Sequence, residues 1–129
     1  MASKKFLTLF VLSTFVLLGV AAIKPPSGLY RNLKVLPKDI SDQKLDSIMD
    51  SYNKALGIGC GFCHSPAKAD PNNLDFAIDD NPMKENARKM MRMTIEINKT
   101  NFYYNKDERP EYLNVVTCRT CHRGEPFPD

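Results

Sequence analysis

The sequence predicts a small, mainly α, loop-rich fold, and three observations point there. Two segments place apolar residues at helical spacing between recognisable capping residues, each with methionine on its apolar stripe. No segment alternates well enough to make a convincing strand. Each helical segment leads into Cys-x-x-Cys-His, at Cys60–His64 in "LGIGCGFCH" and at Cys118–His122 in "VTCRTCH". These two copies use all 4 cysteines and both histidines of the 129-residue chain.

The elements follow in order. Residues 1–22 read as a signal peptide. Lys4 and Lys5 form a positive start, Phe6 to Val20 an uncharged apolar run, and Val20-Ala21-Ala22 a small-residue cleavage site. An uncleaved membrane anchor is the alternative, because the run is short for a spanning helix but not excluded as one. No cysteine follows the run, which argues against a bacterial lipid anchor. Residues 23–129 are then expected as one exported, periplasmic domain. Ile23 to Lys38 reads as extended linker, since Pro25, Pro26 and Pro37 forbid helix.

Ser41 is a good N-cap. Leu45, Ile48, Met49, Tyr52, Ala55 and Leu56 follow with helical period, and Gly57 is placed to end that helix. Residues 65–80, rich in Pro, Asn and Asp, read as loop. Asn81-Pro82 opens a second helix, with Pro82 suited to its first position. Met83, Ala87, Met90, Thr94 and Ile97 share one face with Met93 at its edge, while Lys84, Arg88, Arg92 and Lys99 lie away from it. Fraying is expected near Asn98–Asn101. A polar, aromatic-dotted loop leads to Glu111–Val116, where Tyr112–Val116 is the nearest thing to a strand. "GEPFPD" closes the chain in irregular structure.

With Lys4 and Lys5 set aside, the 18 basic residues come close to balance with the 15 acidic ones, and no basic stripe argues for nucleic acid. So short and polar a chain can build only a thin core. It needs a staple, whether disulfides, a metal or a large covalent cofactor.

Cys-x-x-Cys-His is the attachment signature of c-type haem. Two thiols three residues apart can each form a thioether to one haem vinyl group, and the histidine directly after the second cysteine ligates the iron. Two covalent haem c groups are therefore expected, on Cys60, Cys63 and His64 and on Cys118, Cys121 and His122. A structural zinc site, a thioredoxin-like redox pair and two disulfides compete for the same cysteines. None of them needs a histidine after each pair.

With no third histidine, the opposite face of each iron is left to methionine or stays open. Met49 lies on the apolar face of the helix leading to the first motif, where it serves as ligand or as core. Met90 sits mid-helix on the second apolar face with Met93 as its rival. Met91 points elsewhere, and Met83 is placed to pack.

Read together, "NLKVLPKDIS", the Met49 helix with "LGIGCGFCH", "ARKMMRMTIEIN" and "VTCRTCHRGEP" resemble the photosynthetic reaction centre cytochrome c subunit family from about Asn32 to Pro126. The resemblance implies a repeated unit of helix, methionine and Cys-x-x-Cys-His. It matches Met49 and Met90 to the ligand methionines, and Arg123 and Gly124 to the family's "CHRG" ending. Arg123 is either a partner for a haem propionate or an ordinary solvated arginine.

The family subunit carries four haems in two tandem halves, and this chain has one half. The stretch "NKTNFYYNKDERPEYLN" lacks the histidine that in the family serves a haem of the other half. The implied function is electron transfer by an exported two-haem carrier, similar to the subunit that re-reduces an oxidised donor. Its partners would be redox proteins, a membrane-bound complex such as a reaction centre among them. The alternative is a dihaem, peroxidase-like enzyme with an open iron. That enzyme needs acid–base groups, and only loop carboxylates such as Asp79, Asp80 and Glu108 offer themselves. No residue is assigned a catalytic role. Tyr30, Phe62, Phe102, Tyr103 and Tyr104 can edge a cofactor but more often simply pack.

Overall fold

The computed structural model describes residues 31–128. The signal segment, its cleavage site, the start of the proline-rich stretch and Tyr30 lie outside the described residues. Among the described residues, three helices form the framework: α1 (Asp42–Leu56), α2 (Pro82–Asn101) and the short α3 (Cys118–His122). Single 3-10 turns occupy Cys60–Phe62 and Pro110–Tyr112. The rest of the described residues are loop apart from one small hairpin. Among the described residues, no helix is long and apolar enough to cross a membrane.

Capping chemistry sets the helix ends. The Ser41 hydroxyl accepts from the Lys44 N–H over 3.2 Å, and Gly57 stops α1 with φ 66°, in the left-handed region that glycine enters freely. Asp42 in the first turn and Lys54 in the last complement the helix dipole. The Asn81 side-chain oxygen accepts from the Met83 N–H over 2.9 Å, and Pro82 fills a position where no amide hydrogen is needed. In α3, Thr117 and Thr120 form a reciprocal capping box.

The core contradicts the linker expectation. Leu36 and Ile40, inside the expected linker and just beyond it, are each only 5% exposed, and with Met91 they form its centre. Leu45, Ile48, Met49, Tyr52 and Tyr112 pack around them. Pro37 forbids helix but does not forbid burial. Burying each of these aliphatic side chains is worth about 1.5–3 kcal/mol. The segment is also stitched in place. Arg31 donates to the Ile40 carbonyl over 2.6 Å and pairs with Asp42, while Asn32 donates to the Ala77 carbonyl over 2.8 Å. Arg109 grips Asp39 with both nitrogens, at 2.7 and 2.8 Å.

The face of α2 differs too. Its buried residues are Lys84, Arg88, Met91 and Asn98, whereas Met90, Met93 and Ile97 are 45%, 46% and 36% exposed. Lys84 and Arg88 bury their long aliphatic stems beside the loop at 76–79, and their charged heads find partners in it. Lys84 donates to the carbonyls of Phe76 and Ile78 at 3.0 and 2.5 Å. Asp79 takes Lys34 at 2.5 Å, Arg88 at 2.8 Å and Lys84 at 3.1 Å. Hydrogen bonds from Arg88 and Lys34 hold the Asp79 carboxyl well below the usual carboxylate range.

Asn98–Asn101 does not fray. Asn98 is 1% exposed, and its amide donates to the carbonyls of Leu113 and Val116 at 2.9 and 2.8 Å, while its oxygen accepts from the Val116 N–H at 2.8 Å. Tyr112–Val116 accordingly makes no strand, because Val116 spends its backbone groups on Asn98. The expected loop at 65–80 holds a minimal antiparallel pair, β1 (Ser65–Pro66) with β2 (Leu74–Asp75), in the register Ser65 to Asp75 and Pro66 to Leu74.

Candidate functional site

Both Cys-x-x-Cys-His segments fold as single helical turns. In the first, the Cys63 and His64 N–H groups return to the Cys60 carbonyl at 3.2 and 3.0 Å. The second is α3 itself. Residues three apart in such a turn lie on one side of it, so each cysteine pair presents its two thiols together. All four thiols are free of disulfides; Cys60 and Cys121 are exposed, Cys63 and Cys118 half-buried. Burial pushes the Cys63 and Cys118 thiols up, so both stay protonated near neutral pH.

The two imidazoles are held differently. The His122 Nδ1 lies 3.0 Å from the Glu125 carbonyl oxygen, which can only accept. In the neutral ring Nδ1 therefore carries the proton and Nε2 is bare, the arrangement found in metal-bound histidines. His64 is half-buried, with its ring edge-on to Phe76 at 5.0 Å and 68°. Its Nδ1 is buried with no hydrogen-bond partner. Burial, with Lys84 and Arg88 nearby, pulls the His64 pKa down and keeps the ring neutral.

Asparagines tie the motifs to the helices. Asn53 lies one turn beyond Met49 on α1, and its amide is 3.6 Å from the Cys60 sulfur. Asn81, the cap of α2, donates to the Phe62 carbonyl inside the first motif over 3.0 Å. At the other end of α2, Asn98 holds Val116, two residues before Cys118. A groove of about 480 Å³ runs between α1 and the second motif, with Ile48, Tyr52, Thr94, Tyr112 and Cys118 among its walls. Burial raises the Tyr52 hydroxyl pKa. A wider, more open depression of about 660 Å³ on the outer side of α1 is lined by Gln43, Asp46, Ser47, Asp50, Ser51 and Lys54, and holds no cysteine, histidine or methionine.

These residues fit covalent haem. Paired, unbridged thiols, two imidazoles in single helical turns and an exposed apolar stripe on α2 are what such a group requires. Zinc fits poorly: among the described residues, no three or more His, Cys, Asp or Glu side chains gather to hold a metal ion.

The methionines divide. Met49 is half-buried on the Asn53 side of α1 and touches the core, Met90 and Met93 are both outward on α2, and Met91 is core. Of the loop carboxylates, Asp79 is locked into ion pairs, while Asp80 and Glu108 are exposed. Sequence reasoning missed Asn53, Asn81 in its second role, Phe76 and Asn98. Only Asn98 left a signal, standing seven residues after Met91 and so on the same side of the helix.

The family model described as photosynthetic reaction centre cytochrome C subunit matches residues 20–129. Cytochrome c-554 of Chloroflexus aurantiacus is 35% identical over 89 residues, covering 67% of this chain and 19% of that protein. The photosynthetic reaction center cytochrome c subunit of Roseobacter denitrificans is 32% identical over 108 residues, covering 72% of this chain and 28% of the relative. That of Thermochromatium tepidum is 30% identical over 105 residues, covering 79% and 22%. The chain thus spans between 19% and 28% of the length of these relatives. No solved structure matches it.

Proposed function

The chain belongs to the photosynthetic reaction centre cytochrome c subunit family, and on that footing we propose that it is an exported electron carrier with two covalent haem c groups. The observation that carries the proposal is the pair of Cys-x-x-Cys-His turns, each with both thiols unbridged and, at His122, an Nδ1 held 3.0 Å from the Glu125 carbonyl.

In this reading Cys60 and Cys63 bind one haem with His64 as ligand, and Cys118 and Cys121 bind the other with His122. Met49 supplies the second ligand to the first iron, supported by Asn53, its neighbour one turn on, lying against Cys60. Met90 supplies it to the second, supported by its outward position on the α2 stripe; Met93 is as exposed and is the rival. Residues 23–129 are the haem domain and residues 1–22 the export signal.

Bound haem supplies one-electron cycling of its iron, and the protein does the rest by ligation and burial. A methionine and a histidine holding one iron would raise its potential relative to two histidines. A closed ligand set leaves little to rearrange on reduction, which suits transfer rather than turnover of a substrate, and the chain is proposed to be no enzyme. Partners are proposed to be donor and acceptor proteins, with a membrane-bound reaction centre one of them by kinship.

The test is the mass and the pyridine haemochrome spectrum of protein purified from a host able to attach haem. Two haems per chain are expected. A mass equal to the bare polypeptide, with no Soret absorption, would refute the proposal.

A further inference from the structure

Gly57, just ahead of the first motif, meets Gly124, just beyond the second. A Cβ on Gly57 would stand 2.1 Å from the Gly124 carbonyl oxygen and 3.1 Å from its carbonyl carbon, so only glycine admits the approach. Beside it, the Gly124 N–H donates to the Ala55 carbonyl over 2.9 Å. That oxygen belongs to the last turn of α1 and has no partner inside the helix. Phe62, inside the first motif, reaches Phe127, beyond the second, with ring centroids 6.1 Å apart at 60°. α1 itself packs along α3.

Neither motif needs these contacts to form its own turn. The first is closed by the Cys60 carbonyl and the second by Thr117 and Thr120. The contacts join one attachment turn, through the C-terminal end of α1, to the other.

We infer that the Gly57–Gly124 contact, with the Ala55 hydrogen bond and the Phe62–Phe127 ring pair, is a clasp that sets the distance and mutual orientation of the two attachment turns. Gly57 is then a positioning residue for electron exchange between the groups they carry. The inference rests on the two-haem reading above. The exchange is balanced in itself, one electron lost at one iron and gained at the other, with no further reactant. It depends on the relative placement of the two groups, as any reaction between held partners does.

The test is circular dichroism in the Soret band, where two haems held at a fixed angle give a bisignate couplet, run alongside a haem count on the same samples. Wild type is expected to show the couplet. Gly57→Ala, which drives a methyl into a backbone carbonyl, is expected to lose most of it or invert it while keeping both haems. Phe127→Ala, at a side chain 70% exposed, is expected to weaken it. Gly59→Ala is the control: it is nearer Cys60, has an ordinary φ of −102° and nothing within 4 Å of its added Cβ, and should leave the couplet unchanged.

Three outcomes overturn the clasp: two haems but no couplet in wild type, an unchanged couplet in Gly57→Ala, or an equal change in Gly59→Ala. If Gly57→Ala does not accumulate, Phe127→Ala decides, and an unchanged couplet there overturns the clasp. Fewer than two haems in wild type would instead sink the functional reading, which keeps the two failures apart.

Discussion

Asn98→Ala should be among the costliest single changes outside the motifs. The side chain is 1% exposed and makes three hydrogen bonds, at 2.9, 2.8 and 2.8 Å, to Leu113 and Val116. At about 1 kcal/mol net per bond the loss is about 3 kcal/mol. Backbone groups left without a partner raise the cost, and water entering from the adjoining groove recovers part of it. The expected loss is therefore about 2–4 kcal/mol, a large share of the 5–15 kcal/mol typical of a domain. In a chain of this size that lowers Tm by about 10–25 °C.

Asn98→Asp sharpens the reasoning. Its carboxylate still accepts from the Val116 N–H but faces two carbonyl oxygens with no hydrogen to give, so it should be less stable than the alanine variant. Urea unfolding followed by far-ultraviolet circular dichroism reads both, as a lower midpoint at unchanged slope. An alanine variant within about 0.5 kcal/mol of wild type, or an aspartate variant more stable than it, would refute the account of this residue.

Other outcomes follow from the same geometry. Leu36→Ala should cost about 2–4 kcal/mol in the same assay, whereas a true linker residue would cost almost nothing. Met91→Ala should cost a similar amount and leave the weak far-red ferric band of methionine-ligated haem in place. Met90→Leu should remove that band from one haem and change the stability of the haem-free chain by less than about 0.5 kcal/mol; a band that survives it and disappears in Met93→Leu would transfer the ligand role. Asp79 has a lowered pKa in the fold, so its stabilising effect is fully present above the unfolded value near 4 and is lost as pH falls below it. Asp79→Asn should therefore lose about 1–3 kcal/mol at pH 7, after discount for its partial exposure, and unfolding midpoints measured from pH 7 to pH 2 should show wild type and variant converging in acid.

Local signals were legible and pairings were not. Ser41, Gly57, Asn81 and Pro82 act within a few residues of themselves, so capping chemistry read from the chain matches the folded helix ends. The buried side of α2 is not its apolar stripe, because Lys84 and Arg88, which periodicity counts as polar, are buried. Their burial depends on Asp79 and on the carbonyls of Phe76, Ile78 and Asn32, which no period along the helix can announce. Leu36 and Ile40 hide for the opposite reason: the prolines nearby rule out helix, and only the fold shows that an extended segment is buried. The motif residues needed no folding to be found, since their chemistry is written in adjacent letters. Their supports, Asn53 and Asn98, are ordinary polar residues until the fold sets them against Cys60 and Val116.

The carbonyl that fixes the His122 ring comes from Glu125, in a tail of no regular structure. A polypeptide shortened to Gly124 would keep every cysteine, histidine and methionine of interest, and a motif search would score it as whole. Its second imidazole would nonetheless be free to swap the proton between its nitrogens and to flip. The aim of that side chain is thus entrusted to a stretch without helix or strand, where deletions are ordinarily assumed to be harmless.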